Sequence, residues 1–529
     1  MRNIVSGFLE SSERFPSHPA LVVDGISFTY LDLRGQAGKL ASLLRRTQEG
    51  NSPLVALLAY RSVTAYAGIL GILAAGRGYV PLNPKFPAAR TRRMLSLSGC
   101  SQVIVGNECV AHLREILEGF QQPLTLILPG MADVADLQTD FPLHRYVSAK
   151  DVFESHVSVF ETTVPSQAIA YLLFTSGTTG EPKGVPVAHS NVRSYINYMC
   201  GRCDLNDTDR FSQHSDLTFD LSAHDIFVAW ERGASLYCLP ERAVLLPAKF
   251  VRDNALTAWL SVPSIIGILS KMRLLEPHFF PSLRYSFFCG EPLPGSSAQL
   301  WQNAGPNSIV ENLYGPTEAT IAISHYLWDR THSPGECLNG ICPIGWTFAG
   351  QRSSIVDQDF KMLSNNQAGE LFLAGSQVTA GYWNDPVKTG AKFVRLGNSE
   401  DTIWYRTGDL VKQDRAGCMY YLGRIDDQVK IRGYRAELQE IEAVLRKACG
   451  TDQVVSVAWP VRDGSADGVV AFVSGQKELD EGKALKYCRR YLPGYMVPQK
   501  IYAIDALPLN VNGKVDRRGL VRLLGGAQT

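Results

Sequence analysis

Leu173-Phe174-Thr175-Ser176-Gly177-Thr178-Thr179-Gly180-Glu181-Pro182-Lys183-Gly184 is the stretch on which the reading of the fold turns. Tyr171 to Phe174 is an apolar run of buried-strand type, and the chain becomes apolar again at Val185. Between the two runs stand hydroxyls, glycines, a proline and a lysine. A loop of this kind offers backbone N–H groups, side-chain hydroxyls and an ammonium to a polyanion. It is not a Walker loop, because the order Gly, four residues, Gly-Lys-Ser/Thr is absent. Taken alone, the stretch also reads as a Ser/Gly surface linker.

On either side, strand-like and helix-like runs alternate through roughly the first 330 residues, which predicts an α/β fold with layered, largely parallel sheets. Leu54 to Leu58, Gln102 to Val105 and Leu124 to Leu128 are strand candidates. Behind the loop, Ser190 is the expected N-cap of a helix with Val192, Tyr195, Ile196 and Met199 on one face. From 341 to 422 short strands separated by Gly, Asn and Asp turns predict a small β-rich subdomain, Gly369 to Gly375 being one strand. Beyond Val429 a charged segment leads into a helix with Ile441, Val444 and Leu445 on one face, so 429–529 reads as an α+β domain.

At 529 residues the chain exceeds what one hydrophobic core serves, so two or more domains are expected. Lys and Arg number 52 against 51 Asp and Glu. That balance gives no electrostatic case for nucleic acid or an anionic membrane as partner. Met1-Arg2-Asn3-Ile4 runs into Glu10 and Glu13 without an apolar core, so no signal peptide is expected. The apolar stretch between Arg61 and Arg77 is too short to span a bilayer and is read as a buried helix. Eleven scattered cysteines suit a reducing cytoplasm, the expected location. Cys200 and Cys203 form a CxxC pair without a second pair beside it, so no metal role is assigned to them.

Further polar stations follow the loop in order: Asn312-Leu313-Tyr314-Gly315-Pro316-Thr317-Glu318, then Tyr405-Arg406-Thr407-Gly408-Asp409. Next come the run from Gly423-Arg424-Ile425-Asp426 to Lys430-Ile431-Arg432-Gly433-Tyr434-Arg435, and Asn512-Gly513-Lys514. With these, and with Phe28-Thr29-Tyr30 and Gly76 to Pro84 near the start, nearly the whole chain resembles the adenylate-forming superfamily. That superfamily comprises acyl-CoA synthetases, amino-acid adenylation enzymes and beetle luciferases. The resemblance implies that ATP and Mg²⁺ are used to convert a carboxylic acid to an acyl-adenylate with release of pyrophosphate, the acyl group then passing to a thiol. A carboxylate approaching a triphosphate needs positioning and charge neutralisation above all. By resemblance, Thr175, Ser176, Gly177, Thr178, Thr179, Gly180 and Lys183 would hold the β- and γ-phosphates, and Thr317 the α-phosphate. Glu318 would hold the metal, a hard cation suited to carboxylate oxygen. Asn312, Tyr314 and Gly315 would lie along adenine, with Tyr314 stacking. Asp409 would accept the ribose hydroxyls, with Arg424 nearby. Lys514 would reach in from a mobile C-terminal domain to bridge the substrate carboxylate and the phosphate. The implied division is an adenylation core over 1–423, a hinge over 424–428 centred on Asp426, and a mobile domain over 429–529. Gly433 would line the thiol tunnel.

The segment Phe219 to Phe227 separates branches of that superfamily. Amino-acid-activating members place an aspartate at the position of Asp220, where it pairs with the substrate ammonium; a substrate cation needs a buried counter-charge. A helix N-cap is the alternative reading of Asp220. The remaining pocket positions, by resemblance, are Leu221, His224, Ser264, Phe287, Cys289, Gly290, Leu313, Ile321 and Ala322. The run Phe287 to Glu291 and the Phe-Asp-Leu-Ser start are similar to stand-alone D-alanine–carrier protein ligases. Bulky Phe287, Leu221 and Leu313 would favour a small amino acid. His224 departs from those ligases; it is either a hydrogen-bond partner for a polar side chain or a satisfied core histidine.

Fifteen residues follow Lys514, against the roughly 80 that a carrier domain would need. A free-standing enzyme that loads a separate phosphopantetheinylated carrier protein is therefore expected. The alternatives are an acyl- or aryl-CoA ligase with Asp220 fortuitous, and a non-catalytic binding protein on the same scaffold.

Overall fold

Apolar strands alternating with helices assemble into two large sheets in the computed structural model, which describes residues 3–48, 52–156, 160, 164–177, 181–396, 402–462, 464–474, 479–508 and 515–526. Lys514 and its neighbours Asn512 and Gly513, and Thr178, Thr179 and Gly180 of the Gly-rich loop, lie outside the described residues.

The first sheet has seven strands in the order Arg145–Val147, Thr125–Ile127, Gln102–Val105, Leu54–Leu58, Gly78–Leu82, Ile169–Thr175 and Lys183–Ala188. All neighbours are parallel except the last pair, Ile169–Thr175 against Lys183–Ala188, which the Gly-rich loop joins as an antiparallel hairpin. Leu54 to Leu58 are buried on both faces, as expected of a central parallel strand. The second sheet has nine strands, its centre formed by the parallel run Ile309–Tyr314, Tyr285–Phe288, Ala258–Ser261, Arg210–Gln213 and Ser235–Cys238. Helices Tyr30–Arg46, Val63–Ala74, His189–Arg202 and Leu221–Glu231 fill the space between, and one buried cluster runs through both sheets.

Local chemistry explains several element starts. Thr29 and Asp32 form a reciprocal capping box at the head of Tyr30–Arg46. The helix after the loop is capped at Ala188 instead of Ser190, because strand Lys183–Ala188 runs directly into it. There the Asn191 side chain accepts from the Ala188 N–H at 2.9 Å. Val63–Ala74 is the buried helix expected between Arg61 and Arg77.

A smaller antiparallel sheet carries Gln351–Val356, Ala368–Gly375, Ile403–Gln413, Phe393–Arg395 and Met419–Arg424. After it, the hairpin Gln428–Ile431/Tyr434–Glu437 and helix Leu438–Cys449 open a C-terminal unit with its own apolar cores. One of these is built on Ile431, Ile441, Leu445 and Ala471, the other on Val455, Val457, Phe472 and Leu520. Among the described residues no helix is long and apolar enough to cross a membrane.

Candidate functional site

The C-terminal ends of the parallel strands in the second sheet, the Gly-rich loop and the hairpin 428–437 enclose one large cavity of about 570 Å³. Ligands collect at this edge of open α/β sheets because the loops there are free to carry polar groups.

Asp220 stands at the N-cap position of Leu221–Glu231, but its side chain makes no capping bond. Its Oδ2 instead accepts from the Ile321 N–H at 3.0 Å, and the carboxylate lies on the cavity wall, 8% exposed. Burial pushes its pKa up to about 6, against the lowering effects of the Ile321 N–H and the Thr317 hydroxyl. Lys430 also lowers it, by less than burial raises it, so the carboxyl still favours a further cation. Leu221, Ser264, Cys289, Gly290, Leu313 and Ile321 line the same cavity.

Three predicted pocket residues lie one layer behind that wall. Phe287 and Ala322 are fully buried and away from the cavity. His224 is 1% exposed, its Nδ1 within 2.8 Å of the Tyr195 hydroxyl and its ring edge-on to Phe287. Burial, with Arg202 assisting, lowers its pKa to about 3. His224 is thus a satisfied core histidine that is not among the residues lining the cavity.

At the other end, each oxygen of Asp409 meets one protein donor. Tyr314 donates its hydroxyl to Oδ2 at 2.5 Å and Arg424 Nη1 meets Oδ1 at 2.8 Å. The Tyr314 phenol is therefore tied to the carboxylate expected to hold ribose. Arg424 also grips Asp426 in a two-pronged pair, at 2.8 and 2.6 Å. The Asn312 amide donates to the Pro343 carbonyl at 2.8 Å. Gly315 has no room for a side chain: a Cβ there would lie 2.6 Å from Ala322 Cα.

Glu318 is wholly buried. Its Oε1 accepts from Tyr382 at 2.9 Å and lies 3.4 Å from Lys183 Nζ, while Oε2 pairs with Arg435 Nη1 at 2.8 Å. Burial alone would raise its pKa, but Arg435 and Lys183 outweigh it and hold the carboxyl well below the carboxylate range. Burial and Arg435 in turn lower Lys183 to about 8. The expected metal ligand therefore has both oxygens occupied by protein donors. Among the described residues no group of three acidic, His or Cys side chains could hold an ion. Mg²⁺ is commonly held by one or two carboxylates and completed by substrate phosphates and water, so Glu318 would be the protein's contribution to such a site.

Sequence reasoning passed over four charged residues that the fold brings to the site. Lys430 lines the cavity from the hairpin, and it forms no ion pair among the described residues; burial lowers its pKa. Arg435, on the same hairpin, reaches Glu318. Arg90 and Glu440 pair across the domains. Lys430 and Arg435 had a legible signal, being cations inside a strand-patterned motif, whereas Arg90 and Glu440 lie 350 residues apart and had none. Gly433 packs against the core, where a Cβ would fall 2.7 Å from Val262 Cγ1. Thr175 and Ser176 border the cavity, and the Ser176 hydroxyl donates to the Arg435 carbonyl at 3.1 Å.

Residues 8–383 match the family described as AMP-binding enzyme, and the chain belongs to that family. Among solved structures it is similar to the Vibrio cholerae adenylation domain AlmE in complex with glycyl-adenosine-5'-phosphate. That match has TM-score 0.90 at 33% identity, over 99% of this chain and 98% of that one. It is 29% identical to the D-alanine--D-alanyl carrier protein ligase of Lacticaseibacillus rhamnosus over 98% of each chain. It is 34% identical to tyrocidine synthase 3 of Brevibacillus parabrevis over 99% of its own length, which is 8% of that protein.

Proposed function

We propose that this protein uses ATP to activate an amino acid of glycine or alanine size, and passes it to the phosphopantetheine thiol of a carrier protein. The carrying observation is Asp220, a buried carboxylate facing the cavity, bonded to a backbone N–H and in no ion pair among the described residues, with burial outweighing the lowering effect of Lys430. An α-ammonium supplies the partner cation, whereas a simple carboxylic acid would leave the charge unpaired. Leu221, Cys289, Leu313 and Ile321 line the cavity with it, and side chains of that size and apolarity favour a small substrate side chain. The likeness to a domain that holds glycyl-adenylate supports the same size.

In the first step a substrate carboxylate oxygen attacks the α-phosphorus, the bond to pyrophosphate breaks, and an aminoacyl-adenylate remains. In the second a thiolate attacks the carbonyl carbon and AMP leaves with the electron pair. With hairpin 428–437 facing the cavity, the observed arrangement favours the second step. Lys430 is the cation on hand to neutralise the departing AMP phosphate, and Gly433 lines the cavity where the thiol arm would enter. Lys514 is assigned to the first step, with Asp426 at the hinge.

Pyrophosphate exchange across glycine, D- and L-alanine, serine, proline and the corresponding unsubstituted acids tests this reading. Exchange confined to small amino acids supports it. Exchange driven by acetate or propionate would instead favour a CoA ligase.

A further inference from the structure

Helix Ala88–Ser98 carries Arg90 and Arg93 three residues apart, on one face. Arg93 Nε meets Glu181 Oε2 at 2.6 Å on the exposed side. Arg90 is the buried one, with 6% of its side chain exposed, and it lines the cavity. Its Nη1 donates to Glu440 Oε1 at 2.5 Å, and Oε2 of the same carboxylate accepts from the Gly177 N–H at 3.1 Å. One carboxylate from the C-terminal unit is thus held between a guanidinium and a backbone N–H of the loop. Arg90 Nε is buried and has no hydrogen-bond partner among the described residues.

A guanidinium with an unused buried donor, facing a ligand cavity and paired only through a side chain of another domain, is suited to more oxygens than one carboxylate presents. A diphosphate supplies them, and the planar fork of arginine matches phosphate geometry. We propose that Arg90 and the Gly177 N–H form a diphosphate-binding site, and that Glu440 occupies it as an internal substitute when the C-terminal unit is docked as observed. The inference rests on the reading of the loop as a nucleotide-phosphate site. It makes the diphosphate and Glu440 mutually exclusive: while pyrophosphate or the ATP β,γ-phosphates are bound, the hairpin arrangement for thiol transfer is opposed. Once they leave, Glu440 takes over the same donors.

Calorimetric titration of the full chain with methylenediphosphonate, with α,β-methylene-ATP and with AMP tests this. Glu440→Gln removes the competing charge and is expected to tighten methylenediphosphonate or α,β-methylene-ATP binding at least about threefold. Adding Arg90→Gln in that background is expected to weaken it at least about tenfold, by loss of a charged donor. A response by both probes means released pyrophosphate is held; a response by α,β-methylene-ATP alone means the group is held only as part of the triphosphate. If Arg90 merely anchors Glu440, Arg90→Gln will tighten binding as Glu440→Gln does, and the double variant will match Glu440→Gln; that result overturns the inference. AMP affinity should be unchanged throughout. Failure of wild-type protein to bind AMP would overturn the nucleotide reading and this inference with it, whereas normal AMP binding with no Arg90 effect would overturn this inference alone. Should Arg90→Gln not fold, Arg90→Lys in the Glu440→Gln background decides, with a loss of at least about threefold expected and no loss contradicting.

Discussion

At the scale of single residues, Asp220 carries the account, and its cost to the empty protein is measurable. A carboxylate whose folded pKa is raised stabilises the fold only in its protonated form. That contribution is present below the unfolded value, about 4, and is lost as pH rises through about 6. Asp220→Asn, which never ionises, should therefore gain stability over wild type above pH 6, by at most about 3 kcal/mol, and lose the advantage near pH 4. Thermal melts across that range check it; a difference independent of pH would contradict it. Lys430 is the second residue to test. Lys430→Met should leave pyrophosphate exchange within about threefold and slow single-turnover thioester formation at least about tenfold, since the lost interaction is with charge that develops on AMP. The place of Asp220 on the cavity wall was legible in the sequence because it sits in a short contiguous motif. The core role of His224 was not, since it depends on Tyr195 and Phe287 arriving from other elements.

At the scale of elements, the hairpin Gln428–Ile431/Tyr434–Glu437 makes the site two-sided. Its turn at Arg432-Gly433 has positive φ at both residues, and Gly433 presses on Val262. Gly433→Ala adds a Cβ 2.7 Å from Val262 Cγ1, so this docking is obstructed while the other faces of the core are untouched. Thioester formation should fall at least about tenfold with amino-acid-dependent exchange retained; equal loss of both would show that the hairpin serves the first step as well. The strands of the core were readable from apolar runs, Leu54–Leu58 above all. The cap of His189–Arg202 was misplaced at Ser190, because a strand feeding straight into a helix leaves no loop for a conventional cap and Asn191 supplies the bond from inside. Which groups the hairpin reaches could not be read at all, because Arg435 and Glu318 meet only through tertiary docking.

At the scale of the whole molecule, the C-terminal unit has its own apolar clusters and meets the large domain through polar and apolar contacts alike. These include Arg90–Glu440, Arg435–Glu318 and Ser465–Glu291, with Phe219 edge-on to Tyr434. Interfaces of this kind between self-contained cores permit relative motion and weaken unfolding cooperativity. Calorimetric unfolding should show more than one transition, with a calorimetric enthalpy exceeding the van't Hoff value; a single two-state transition would mean that the interface binds the units as one. The central claim, that a buried carboxylate selects an ammonium-bearing acid, is tested most directly by equilibrium binding of glycyl-sulfamoyladenosine and its acetyl counterpart to wild type and Asp220→Asn. Wild type should prefer the glycyl compound at least about thirtyfold and the variant should bind the two alike. Equal affinity for both compounds in wild type, or an unchanged preference in the variant, would contradict the claim.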